Sequence, residues 1–100
     1  MDTLFIVKDS PFVIDESLTP LKWAKEDDGI VFIQEGVYIA KKMPESLWSY
    51  IENLKTKGVR FYILKADVNA RALREIPSIF EVVDYDKLID LITTYKRIFS

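Results

Sequence analysis

Apolar residues along this chain gather into two kinds of segment. Leu4-Phe-Ile-Val7 and Ile30-Val-Phe-Ile33 are unbroken runs, and residues 59–64 and 79–83 hold similar ones. A short continuous apolar run reads as a strand buried on both faces, as a parallel sheet requires. Between these runs the apolar positions fall at helical spacing. Residues 17–25 form one such stretch, capped by Ser17 or by Thr19 with Pro20 as first helical residue; Leu18, Leu21 and Ala24 share its inner face. A second helix follows Pro44, with Leu47, Tyr50, Ile51 and Leu54 on one stripe, and stops at Gly58. Residues 67–73 make a short helix, and Asp84 caps a last one whose stripe is Leu88, Leu91, Ile92 and Tyr95. Lys8-Asp-Ser-Pro11 and Asp27-Asp28-Gly29 break the chain into turns, and Gly36 turns it into Val37-Tyr-Ile-Ala40, closed by Lys41 and Lys42. The order βαβααβαβα predicts one α/β domain over residues 1–100, a mainly parallel sheet of four to five strands with helices on both faces.

Composition narrows the chemistry. Cysteine and histidine are both absent, which removes disulfides, a thiolate nucleophile, Cys-based zinc sites and the usual neutral-pH general base. No metal site or cofactor is expected. A net charge of −2 with interspersed signs lacks the basic stripe of a nucleic-acid protein. The apolar runs are far too short to span a bilayer and the N-terminus does not read as a secretory signal, so the expected location is the cytoplasm.

In open α/β sheets, ligands bind beyond the carboxyl ends of the strands. Those ends carry Lys8, Asp9 and Ser10; Gln34, Glu35 and Gly36; Lys65, Ala66 and Asp67; and Asp84. The set suits a small ligand or a partner's loop, and equally the polar caps that any such fold needs. Neither a G-x-G-x-x-G nor a Walker lysine loop is present. Asp67 and Arg71 stand at i, i+4, the spacing of a helix ion pair; a helix cap is the other reading of Asp67. Trp23 lies roughly 160° from the centre of its helix's apolar stripe, so it points outward, as an interface anchor or folded over a loop. Val37, Tyr38, Ile39 and Ala40 are apolar around a whole turn. One side of that turn is expected to meet another subunit, with burial under the helix that follows Pro44 as the competing reading, and Tyr38 could offer its hydroxyl across such a contact.

Four segments together resemble a known family. Leu4-Phe-Ile-Val-Lys-Asp-Ser-Pro-Phe12, Asp27-Asp-Gly-Ile-Val-Phe-Ile-Gln-Glu-Gly-Val37, Phe61-Tyr-Ile-Leu-Lys-Ala-Asp-Val-Asn-Ala-Arg71 and Val82-Val-Asp-Tyr-Asp-Lys-Leu-Ile-Asp-Leu91 are similar, in order, to the DsrH/TusB family. These are the small third subunits of the DsrEFH and TusBCD sulfur-relay complexes. Ala72 departs from the pattern, which usually has glycine there; alanine is expected to let the short helix run about a turn further.

The resemblance implies a three-layer α/β/α, flavodoxin-like domain within a hetero-oligomer of homologous DsrE/DsrF- or TusC/TusD-like subunits. A partner's cysteine then carries persulfide sulfur toward tRNA wobble-uridine 2-thiolation or sulfur oxidation. This chain, lacking a thiol, is expected to be non-catalytic, with Lys8, Lys65 or Arg71 biasing a partner's thiolate. The alternative is a stand-alone homo-oligomer binding a small ligand at the strand ends. An obligate partner would leave an apolar patch around Tyr38 or Trp23 exposed in the isolated chain; self-association would cover it with a second copy.

Overall fold

The computed structural model describes residues 2–10, 19–41, 43 and 45–100. The strands are β1 (Thr3–Val7), β2 (Gly29–Phe32), β3 (Arg60–Leu64), β4 (Phe80–Val83) and β5 (Arg97–Phe99). They form one sheet in the order β4-β3-β2-β1-β5, every neighbouring pair parallel. The helices are α1 (Thr19–Trp23), a 3₁₀ helix (Gln34–Ala40), α2 (Glu45–Thr56), α3 (Lys65–Ala70) and α4 (Tyr85–Thr94). The mainly parallel α/β sheet expected from the apolar runs is therefore present. Ser17, Leu18, Pro11, Phe12, Lys42 and Pro44 lie outside the described residues.

From β1 to β4 the chain steps across the sheet in one direction, and right-handed crossovers place those connections on one face. Leu21 and Ala24 of α1, Ile51 and Leu54 of α2 and Val68 of α3 accordingly share one core with Phe5, Ile30, Phe32, Phe61 and Phe80. The return from β4 to β5 runs the other way, so α4 covers the opposite face, where Leu91 and Tyr95 pack with Leu4, Val31, Tyr62, Leu64 and Val83. β2 is buried at every position, as its unbroken apolar sequence demands. Complete burial of each of its large side chains stabilises the fold by about 1.5–3 kcal/mol. Ile92, placed on the inner stripe by periodicity, is instead exposed, because Leu88, Leu91 and Tyr95 already face the sheet. Tyr50 is also exposed on α2, its hydroxyl donating to the Leu21 carbonyl at 3.2 Å.

Both α2 and α3 end in the same way. Val59 N–H bonds the Leu54 carbonyl and Gly58 N–H that of Lys55, with Gly58 at φ +100°. Likewise Leu73 N–H bonds Val68 and Ala72 N–H bonds Asn69, with Ala72 at φ +54°. Each is a Schellman motif, whose C′ residue must be left-handed. The expectation that alanine would prolong α3 is thus corrected: Ala72 takes up the glycine conformation itself and α3 stops at Ala70.

The Asp28 carboxylate is buried and ties the sheet's amino end together, accepting Thr3 N–H at 3.0 Å and Lys25 N–H at 2.9 Å. Beside it the Tyr62 and Tyr95 hydroxyls meet at 3.4 Å inside the α4 face. A Cβ at Gly29 would overlap the Tyr95 hydroxyl, so a larger residue there would have to displace that ring. Among the described residues no helix is long and apolar enough to cross a membrane.

Candidate functional site at the carboxyl end of the sheet

The 3₁₀ helix sits directly on the strand ends, and one glycine permits it. Ile33 N–H bonds the Val7 carbonyl at 2.9 Å, which draws the end of β2 against that of β1. At Gly36 a Cβ would overlap that same carbonyl oxygen, so no larger residue fits. Val37, Ile39 and Ala40 then turn into the core of this chain. The expected burial of this turn by another subunit is corrected for those three residues: the sheet and α3 already wall them in. Tyr38 alone is left half-buried.

Asp67, in the first turn of α3, does not cap its own helix; Leu64 precedes that helix without a side-chain cap. Its carboxylate instead accepts the Gln34 N–H at 2.7 Å, the first residue of the 3₁₀ helix, which is held at φ +50°. Arg71 closes the cluster. Its Nη2 and Nε donate to Glu35 Oε1 at 2.6 and 3.2 Å, and its Nη1 reaches Asp67 Oδ1 at 3.4 Å. The i, i+4 pair expected from spacing is present, joined by a shorter contact to Glu35. The Glu35 bond raises the Arg71 guanidinium above its ordinary value, and an arginine side chain is charged at ordinary pH in any case. Tyr38 borders the cluster, with the Arg71 guanidinium carbon 5.9 Å and Lys41 Nζ 6.0 Å from its ring centre, within cation–π range.

The structure thus brings together Gln34, Glu35, Gly36, Tyr38, Asp67 and Arg71. Lys8 follows β1 and Lys65 follows β3, one on each side of the β2 end, and both are exposed. Asp84 serves as the cap of α4, accepting Lys87 N–H at 2.8 Å. Trp23 belongs elsewhere. It stands outward on α1 with 52% of its surface exposed, edge-on to Phe99 of β5 at 5.4 Å. Phe99 escapes sequence reading; its one signal is the Ile98-Phe99 pair after the last helix. No group of three His, Cys, Asp or Glu placed to hold a metal occurs among the described residues.

Comparison with known proteins places this geometry. The fold closely follows the crystal structure of the ychN protein from E. coli, with a TM-score of 0.84 at 10% identity over 99% of this chain and 97% of that one. No curated protein sequence matches. The pattern of the DsrH like protein family matches residues 9–98, which spans the 3₁₀ helix, α3 and the whole charged cluster. The chain belongs to the DsrH-like family.

Proposed function

We propose that this chain is a non-catalytic subunit of a sulfur-relay complex. It would assemble with homologous DsrE/DsrF- or TusC/TusD-like chains and support persulfide transfer by a cysteine on one of them, toward tRNA wobble-uridine 2-thiolation or sulfur oxidation in the cytoplasm. The observation that carries this reading is the family match over a sequence with no cysteine. Thiol–persulfide exchange needs a thiolate sulfur, and neither methionine nor an oxygen nucleophile replaces it. The carboxyl end of the sheet is the face offered to the partner. Lys8 and Lys65 supply positive potential there, which lowers a nearby thiol's pKa. Arg71 is committed to Glu35 and Asp67, so it shapes the surface rather than acting as a free cation.

Native mass spectrometry of the protein drawn from its own cells tests the assembly. Small cysteine-bearing chains in fixed stoichiometry support the proposal; self-association alone sinks it. Within such a complex, Lys8→Met and Lys65→Met should slow alkylation of the partner thiol, and unchanged rates would remove the electrostatic role.

A further inference from the structure

Asp67 turns its carboxylate away from its own helix, and the residue that this affects is Lys65. Helix α3 has six residues, of which Val68 is buried, and no side chain caps its start. A helix this short does not sustain itself in water. Two polar ties fasten it to the 3₁₀ helix instead. Arg71, just past its end, binds Glu35. In its first turn Asp67 accepts the Gln34 N–H at 2.7 Å.

The strand register shows what the second tie controls. Carried two residues past the Phe32–Ile63 pair, it sets Lys65 level with Gln34. Carried equally far past the Phe32–Val7 pair on the other side, it sets Lys8 level with Ile33 and Asp9 level with Gln34. Adjacent strands lie about 4.8 Å apart, so the exposed Gln34 side chain starts between the two lysines. Among the described residues neither Lys8 nor Lys65 has an ion-pair partner. Lys65 stands two residues before Asp67 in the same helical turn, so the Asp67–Gln34 bond fixes the stem of Lys65 against the end of β2. Lys8 is placed by β1 itself. The remaining charges at this end are Asp9, Glu35 and Arg71.

We propose that Asp67 is a positioning residue: its bond to the Gln34 N–H holds α3 so that the Lys65 charge acts at the end of β2. This role deepens the sulfur-relay reading and rests on it for the identity of the thiol that Lys65 would serve. Asp67 then has two opposed effects on a thiol at that point, its own negative charge and the cation that it places. A neutral side chain that keeps an acceptor oxygen separates the two.

Because the chain has no cysteine, a single introduced thiol reports on this point alone. Gln34→Cys supplies it, and the N–H that Asp67 holds is a backbone group that survives the change. Alkylation of this isolated chain by iodoacetamide, near neutral pH and at low salt, reads the thiolate fraction. Asp67→Asn removes the charge and keeps an acceptor, so the thiol should react about twofold faster. Asp67→Ala removes the same charge and the acceptor too, so its thiol should react at least about twofold more slowly than that of Asp67→Asn. In a Lys65→Met background this gap should close, and in a Lys8→Met background it should remain. Urea midpoints verify that each variant is folded, and Asp67→Gln, which shifts the acceptor by one methylene, replaces Asp67→Ala should that one misfold. Equal rates for Asp67→Asn and Asp67→Ala, or a gap that persists without Lys65, overturn the positioning role. The reporter needs no partner, so either result is distinct from a failure of the mass-spectrometric test of assembly.

Discussion

Ala72 holds a left-handed conformation at the C′ position of α3, and replacing it with glycine should stabilise the protein. An L-residue at this φ costs roughly 1–2 kcal/mol through the close approach of Cβ to the carbonyl oxygen, a cost glycine lacks. Against that, glycine adds freedom to the unfolded chain worth about 0.4–1 kcal/mol. The net gain is about 0.5–1 kcal/mol, which in a domain of this size raises Tm by roughly 3–6 °C. Urea unfolding followed by the fluorescence of Trp23 and Trp48 reads it directly. The midpoint should rise by roughly 0.3–0.7 M with the slope unchanged. Ala70→Gly, two residues earlier and inside the helix, is the control and should lose about 0.5–1 kcal/mol. Gly58→Ala, at φ +100° with its Cβ 3.3 Å from Glu26 Cγ, should lose more than about 1 kcal/mol. If Ala72→Gly destabilises as Ala70→Gly does, the shared Schellman ending of α2 and α3 is wrong.

Gly36→Ala should cost at least about 2–3 kcal/mol in urea unfolding, because its Cβ meets the Val7 backbone oxygen and not a movable side chain; a neutral result would show that the 3₁₀ helix can lift off the strand ends. Asp28→Ala leaves two part-buried backbone N–H groups without their acceptor and should cost about 1–3 kcal/mol, with Asp28→Asn costing less because one acceptor survives; equal, small losses would mean that water reaches both donors. Burial, then the Tyr62 bond, raises the Tyr95 phenol above its ordinary value. The unfolded chain therefore releases this proton first, so stability is held below about pH 10 and falls as pH rises beyond it. Tyr95→Phe should flatten that alkaline decline in the urea midpoint; an unchanged slope would place its origin elsewhere.

Much of the fold was legible because burial on both faces leaves an unmistakable sequence. Ile30-Val-Phe-Ile33 has no polar position to spare, and it became the fully buried β2. β5 carries no such mark. Arg97-Ile98-Phe99 is exposed throughout, and only the open edge of β1, reached through the Thr3–Arg97 to Phe5–Phe99 pairing, makes it a strand. The site was legible in its local half. Asp67 and Arg71 declare themselves by spacing, whereas Glu35 joins them from 36 residues away and Asp67 caps a helix that is not its own. The inward burial of Val37 and Ile39 depends on how closely Gly36 approaches Val7, a distance that no periodicity encodes.

The sign of this cluster limits what it can do for a partner's thiol. Two carboxylates face one guanidinium, so Glu35, Asp67 and Arg71 together carry a formal charge of −1. A thiol placed beside them has its pKa raised rather than lowered, since nearby negative charge disfavours the thiolate. Under the proposed function, activation would therefore come from Lys8 and Lys65, with Arg71 holding the adjoining acids in check. Arg71→Gln should therefore slow alkylation of a partner's thiol within the complex, although its direct loss of stability is only about 0.2–1 kcal/mol and shrinks in salt. The double variant Glu35→Gln with Arg71→Gln separates the two roles. It returns the cluster to its original charge, so the alkylation rate should recover. A rate that stays low in the double variant would mean that the guanidinium itself meets the thiolate, and that the Glu35 contact yields when the partner docks.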